Sequence, residues 1–228
     1  SMNIEKAGEK TSHAILILDA SGSMNPIKDK TIKSVNEFIQ AQKASAIPTY
    51  ISFYVFHGNE VKTVVDYKPA YMVEEITDKD YSPSGMTNLL DAVGLVIAKT
   101  NTNLKSITEI ALRPSIIISI VTDGEENYSK EYTYKTIKEQ IADCETKDWG
   151  FLFLGAGMDA INESAKLGLS AHNTVQYAYN NISAAAATII NSTELLKASR
   201  SMGTSVSDIY SNGLVSDKDR EAAANGSV

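Results

Sequence analysis

Five oxygen-bearing side chains, drawn from three separated stretches of the chain, have the chemistry to hold a hard metal ion. Asp19, Ser21 and Ser23 occupy alternate positions of the segment Asp19-Ala20-Ser21-Gly22-Ser23. In a loop that turns about one point, such alternation aims three side chains inward, and Gly22 lets the backbone follow the tight path. Thr87, in Gly85-Met86-Thr87, and Asp123, in Thr122-Asp123-Gly124, offer two further oxygens. The set contains carboxylate and hydroxyl oxygen but no histidine or cysteine, which suits Mg²⁺ (or Mn²⁺ or Ca²⁺) and not zinc. Three of the five donors are neutral hydroxyls, so one position of an octahedral shell is expected to stay open or to hold water. An ion with so few charged ligands stays electrophilic, and a carboxylate from another molecule is its natural sixth ligand. Taken alone, Asp-x-Ser-x-Ser is a weak signal, because Asp and Ser are common loop formers and helix N-caps. Its weight comes from the other two loops.

These loops need elements to position them. His13–Asp19 is a short apolar run ending in a carboxylate, as expected of a strand buried on both faces. Pro26 then suits a first helical turn, and Ile32, Val35, Phe38 and Ile39 recur at helical spacing, which predicts a helix over Pro26–Ala44. Thr49–Phe56 is dense in β-branched and aromatic residues, and the turn His57-Gly58-Asn59 leads to the alternating segment Glu60–Tyr67, so the pair reads as a hairpin whose second strand lies at a sheet edge. A loop over Thr77–Met86 precedes a helical pattern from Thr87 to about Lys99. Ser115–Val121 is a second apolar strand and, like the first, ends in polar residues. Tyr134, Ile137, Ile141 and Cys144 mark one helical stripe. Strand Gly150–Leu154, a helix over Asp159–Leu167, a short strand over Thr174–Tyr177 and a helix over Ile182–Arg200 follow. The alternation of strands with helices implies an α/β fold with a mostly parallel sheet covered on both faces. In such a sheet the ligand site lies outside the carboxyl ends of the strands, where all three polar loops fall.

Together these loops resemble the metal-ion-dependent adhesion site of the von Willebrand factor A family: Asp-x-Ser-x-Ser after an apolar strand, the threonine of Gly-Met-Thr-Asn-Leu-Leu-Asp-Ala, and Thr-Asp-Gly closing another apolar strand. The resemblance covers Ser12 to Arg200. It implies hydroxyl ligands from Ser21, Ser23 and Thr87, with Asp19 and Asp123 acting directly or through water. It also implies a three-layer, Rossmann-like doubly wound sheet of about six strands with one antiparallel edge strand, in agreement with the hairpin. The nearest kin it suggests are stand-alone domains encoded in bacterial or phage genomes. The expected division is one domain over 12–203, an N-terminal extension over 1–11 and a C-terminal tail over 204–228, polar and alanine-rich from about Gly213.

Composition narrows the function. At 228 residues, 43% hydrophobic and 21% charged, the chain has an ordinary globular balance and is long enough for one sizeable core. A formal net charge of −7 argues against nucleic acid or an anionic membrane as partner. One cysteine and no basic-then-apolar opening segment lead to the expectation of a cytoplasmic protein, and Ser1 ahead of Met2 reads as a scar of tag removal. Asp91 reads as a structural or solvated carboxylate, Glu125 and Glu126 as an exposed acidic loop. His13, His57 and His172 are scattered and read as structural, Cys144 as an inert core residue, and Trp149 as packing. Gly155-Ala156-Gly157 lacks the rest of a phosphate-binding fingerprint. No catalytic residue stands out. The expected function is a cation-dependent module that binds an acidic group of a protein partner. The alternatives are an Mg²⁺-dependent phosphoesterase or other hydrolase, for which a positioned acid or base is missing, and a scaffold in which the metal only braces loops.

Overall fold

The computed structural model describes residues 10–226. Residues 1–9, which include Ser1 and most of the extension expected over 1–11, and residues 227–228 lie outside the described residues. The elements in chain order are β1 (Ser12–Asp19), a 3₁₀ turn (Gly22–Ile27), α1 (Lys28–Ala44), β2 (Thr49–His57), β3 (Glu60–Pro69), α2 (Leu89–Ser106), β4 (Ser115–Thr122), α3 (Tyr134–Thr146), β5 (Gly150–Gly155), α4 (Ala160–Lys166), β6 (Thr174–Gln176), α5 (Ile182–Ser201), α6 (Val206–Ser211) and α7 (Asp217–Ala224).

The apolar runs form strands because each has two cores to fill. Every residue of β1 and of β4 is buried, and successive side chains point to opposite faces. Ala14, Leu16 and Leu18 join Val35, Phe38 and Ile189 on the side of α1 and α5. Ile15 and Ile17 join Val93, Ile97 and Ile141 on the side of α2 and α3. Each fully buried aliphatic side chain contributes about 1.5–3 kcal/mol, so the strand is pinned from both sides and a one-residue slip would exchange the two sets. The strands form one six-stranded sheet in the order β3-β2-β1-β4-β5-β6. All pairings are parallel except β2 with β3, as the hairpin pattern predicts. Among the described residues no helix is long and apolar enough to cross a membrane.

Two boundaries differ from the sequence expectation, both next to the polar loops. The helix expected from Pro26 begins as a 3₁₀ turn containing Pro26, and its α-helical part starts at Lys28. Met24 N–H donates to Ser21 O at 3.0 Å, an i to i+3 closure that keeps the serines in a tighter turn than an α-helix allows. The helix expected from Thr87 begins at Leu89. Thr87 N–H is held by Asn127 Oδ1 at 2.9 Å, and Asn88 Nδ2 donates to Glu60 O at 3.1 Å, so these two residues serve neighbouring loops instead.

Residues beyond 203 form α6 and α7 and pack on the body: Ile209, Leu214, Val215 and Ala223 are buried in the same core as Leu152 and Ile189. The short β6 pairs with β5 only at Phe153–Gly155, which leaves the backbone of Phe151 to other partners. Its N–H donates to the Tyr210 hydroxyl at 2.8 Å, and its carbonyl accepts Asn173 Nδ2 at 2.9 Å.

Candidate metal centre

Strand β1 lies between β2 and β4. The chain leaves β1 toward one edge of the sheet and later returns to its other side. Between their carboxyl ends the connections diverge and leave a crevice, the usual ligand position in an open α/β sheet. Asp19 closes β1 there, and Thr122 closes β4. The Asp19 carboxylate is fully buried and fixed through both oxygens: Oδ1 accepts Ser21 N–H at 2.7 Å, and Oδ2 accepts the Thr122 hydroxyl at 2.7 Å. Ser21 Oγ and Ser23 Oγ are 3.1 Å apart, and Ser23 Oγ donates to Asp123 Oδ1 at 2.9 Å. Four of the five residues singled out in the sequence are thereby joined into one hydrogen-bonded string.

Thr87 reaches the same place through its loop. Gly22 N–H donates to Gly85 O at 3.0 Å, and Ser84 N–H donates to Ala20 O at 2.8 Å. Gly85 has φ of 73°, in the left-handed region that glycine enters without a Cβ penalty. A Cβ on Gly124 would stand 3.7 Å from Thr87 Oγ1, so the Thr87 hydroxyl borders the Asp123 loop. Thr87 is buried, and its hydroxyl makes no hydrogen bond to another described residue.

Burial, and then the charge of Asp19, push the Asp123 carboxyl up to about 6, against the pull of the Ser23 hydroxyl. Two carboxylates thus crowd one buried crevice, and among the described residues neither forms an ion pair with Lys, Arg or His. A divalent cation would relieve that repulsion. The donor set fits one: two carboxylates and three hydroxyls, all oxygen, at a crevice. Among the described residues no group of three or more His, Cys, Asp and Glu gathers, so the hydroxyls are needed to complete any coordination here.

Tyrosines unremarked in the sequence support the loops from below. Tyr81 donates to Asp19 O at 2.7 Å, Tyr177 to Thr122 O at 3.4 Å, and Tyr179 to Ser23 O. Burial raises the Tyr81 and Tyr177 phenols well above the ordinary tyrosine range, which keeps them neutral donors. Because their acceptors are backbone carbonyls, no residue pattern announces them.

The remaining candidates lie as follows. Asp91 accepts the N–H groups of Lys130, Glu131 and Tyr132 at 2.9 to 3.0 Å, a structural carboxylate as the sequence suggests. Glu125 is exposed, but Glu126 is half-buried and differs from the exposed loop expected of it. It accepts N–H bonds from Leu90, Tyr128 and Ser129, because the first turn of α2 and the turn after Asp123 both carry backbone donors with no intrahelical or strand acceptor. His57 Nδ1 lies 3.3 Å from Ser84 Oγ, and Nε2 lies 3.7 Å from Glu60. His13 is buried at the amino end of β1, and His172 is exposed. Burial raises the Cys144 thiol to about 12, as befits an inert core residue. Trp149 is buried in the core. At Gly157 a Cβ would come 3.0 Å from Asp123 O, so the Gly155–Gly157 turn packs under the Asp123 loop.

No protein-family model matches the sequence, and none of the curated proteins searched matches it. Solved structures do. Proximal thread matrix protein 1 from the mussel byssus superposes with a TM-score of 0.56 at 14% identity, over 83% of this chain and 47% of that one. This chain therefore spans about half of that protein's length. The SpRpn10 VWA domain superposes with a TM-score of 0.51 at 8% identity, over 74% of this chain and 87% of that one. Manganese-loaded Plasmodium vivax TRAP protein superposes with a TM-score of 0.52 at 14% identity, over 79% and 74%. Such identities carry the fold alone: six strands, mostly parallel with one antiparallel member and helices on both faces, the architecture of a von Willebrand factor A domain.

Proposed function

We propose that the chain is a protein-binding module that captures an acidic group of its partner through a divalent cation held by Asp19, Ser21, Ser23, Thr87 and Asp123. The observation that carries this reading is the hydrogen-bonded string Ser21–Ser23–Asp123 at the carboxyl ends of β1 and β4, with the Thr87 loop fastened to it at Gly22. The protein's part is preorganisation. Thr122 and the Ser21 backbone orient Asp19, and Tyr81 and Tyr179 fix the backbone on either side of the serines. When bound, the ion would supply one electrophilic position for a partner's carboxylate. One fold neighbour is a pilus adhesin, SpaC from Lactobacillus rhamnosus GG, with a TM-score of 0.60 at 11% identity over 80% of this chain and 30% of that one, and another, the TRAP protein, is manganese-loaded; both are in keeping with this reading.

A hydrolase at this site needs a base beside Ser21 or Asp19. His57, which borders the Gly85 turn, meets Ser84 and Glu60 instead. Phosphoester turnover with Mg²⁺ that disappears in Asp19→Ala would favour the hydrolase.

Titration calorimetry tests the favoured reading. Thr87→Ala and Ser21→Ala are each expected to weaken Mg²⁺ binding by roughly tenfold or more, with unchanged circular dichroism, since each removes a ligand and no core atoms. Wild-type affinity in both variants would sink it.

A further inference from the structure

At the opposite end of the sheet, where β1, β4 and β5 begin, a cleft of about 280 Å³ is lined by Lys10, Arg113, Lys147 and Arg200, with Asp148 the single carboxylate among the described residues. This is an unexpected concentration of positive charge in a chain of net charge −7. The cations are not there to pair with one another's neighbours. Among the described residues Lys10, Arg113 and Arg200 form no salt bridge, Lys147 reaches outward to Asp143 at 2.9 Å, and Asp148 Oδ1 is occupied by Val206 N–H at 3.0 Å.

The guanidinium groups are held but not saturated. Arg113 Nε donates to Ile107 O at 3.0 Å, and Arg200 Nη1 donates to Thr204 O at 2.7 Å. These bonds fix both planes while leaving further N–H groups over. Behind the wall, Arg200 Nε and the hydroxyl of Ser115 are buried without a hydrogen-bond partner among the described residues, so the polar lining is not knitted shut by its own contacts. Burial, and then the nearby Arg200 charge, lower the Lys10 ammonium below its ordinary value against the opposing pull of Asp148. The rest of the wall, Leu104, Ile110, Pro114 and Trp149, is apolar.

We propose that this cleft is a second binding site, separate from the metal centre, for the phosphate group of a small organic phosphate. Arg113 and Arg200 offer the forked donors that suit phosphate oxygens, Lys10 supplies further donors, and the apolar wall takes the organic portion. The volume admits a phosphate and a few carbon atoms, not a dinucleotide.

Trp149, the chain's one tryptophan, sits on the wall and reports on the cleft directly. Its emission is followed during titration with inorganic phosphate and with glycerol 3-phosphate, at constant ionic strength and with chelator present so that no cation at the other end can hold the anion. A saturable change is expected with both probes. Glycerol 3-phosphate should bind the tighter, and Arg113→Gln and Arg200→Gln should each weaken it by roughly tenfold or more. Because either arginine also supports a loop, Lys147→Ala, at an exposed position, is the second variant and is expected to weaken binding less while leaving the unfolding midpoint unchanged. No response of Trp149 emission or thermal midpoint up to roughly 10 mM probe, a level that saturates a millimolar site, would overturn the proposal. So would a response matched by chloride, or wild-type affinity in the Arg113→Gln, Arg200→Gln double variant.

Discussion

The hydroxyl of Thr122 donates to Oδ2 of Asp19 at 2.7 Å, bridging the carboxyl ends of two adjacent parallel strands. Thr122 is fully buried and contributes no ligand oxygen of its own, since its Oγ is spent on Asp19 and within reach of the Gly124 backbone. Thr122→Val keeps the shape and removes the donor. It is expected to lower Mg²⁺ affinity by about 10- to 100-fold, the usual cost of losing a group that orients a ligand. Calorimetry with Mg²⁺ checks this, and restored binding in Thr122→Ser would separate lost orientation from misfolding.

Gly94, in the middle of α2, faces the ring of Tyr132. A Cβ there would lie 2.5 Å from ring carbons. In an open helix Gly→Ala adds about 1 kcal/mol, but here the ring is in the way, and Asp91 holds the Tyr132 backbone at 3.0 Å. Gly94→Ala is expected to destabilise by about 1–3 kcal/mol, the range for overpacking. The midpoint of urea unfolding reads it out, and a gain in stability would show that Tyr132 swings clear.

His13 is 2% exposed. Its Nε2 lies 2.7 Å from Ser52 Oγ, and its Nδ1 has no partner. Burial lowers its pKa from 6.5 to about 3. The unfolded chain takes up this proton near the ordinary value and the folded chain only near 3. The contribution to stability is therefore complete above about 6.5 and is lost as pH falls, at about 1.4 kcal/mol per pH unit down to about 3. Urea unfolding of wild type and His13→Gln at pH 7 and pH 5 should show a smaller acid loss in the variant. Equal losses would mean that other groups set the acid limb.

Lys197 is completely buried and links α5 to α1 and β2, donating to Gln42 Oε1 at 2.8 Å and Thr49 Oγ1 at 3.1 Å, with Glu194 at 3.0 Å. Burial lowers its ammonium below the ordinary lysine value. Glu194 is 47% exposed, so removing the ammonium leaves no buried carboxylate behind. Lys197→Met leaves the buried Gln42 Oε1 without its donor and is expected to cost about 1–3 kcal/mol, and Lys197→Ala, which also opens a cavity, about 3–5 kcal/mol. Denaturant unfolding distinguishes the two.

How much of this was legible in the sequence follows from which groups do the bonding. His13–Asp19 and Ser115–Val121 could be read as buried strands because both faces of each demand apolar side chains, and the three polar loops stood out because side-chain oxygens at the ends of such strands are conspicuous. The structure brings all five named residues to one crevice. The supporting cast was silent. Tyr81 and Tyr179 bond to backbone carbonyls, which any sequence supplies, and although Asp91 could be read as structural, its partners and those of Glu126 are backbone N–H groups that no residue pattern names. The packing of residues beyond 203 was equally hidden, because Leu214, Val215 and Ala223 are too sparse to set up a period. The cations of the basic cleft come from four places in the chain and gather only when the strands align.

Parallel strands give the molecule a direction. Ser12 begins β1 at one end and Asp19 finishes it at the other, whereas Asn225 returns to Asn181, whose Nδ2 donates to the Asn225 carbonyl at 2.8 Å, two residues from the tyrosine that grips Ser23. A biotin or surface linker joined ahead of Lys10 would present the serine rim to solution in every molecule, and one joined beyond Gly226 would crowd it. Attachment geometry thereby becomes a variable in any optical binding measurement on this protein.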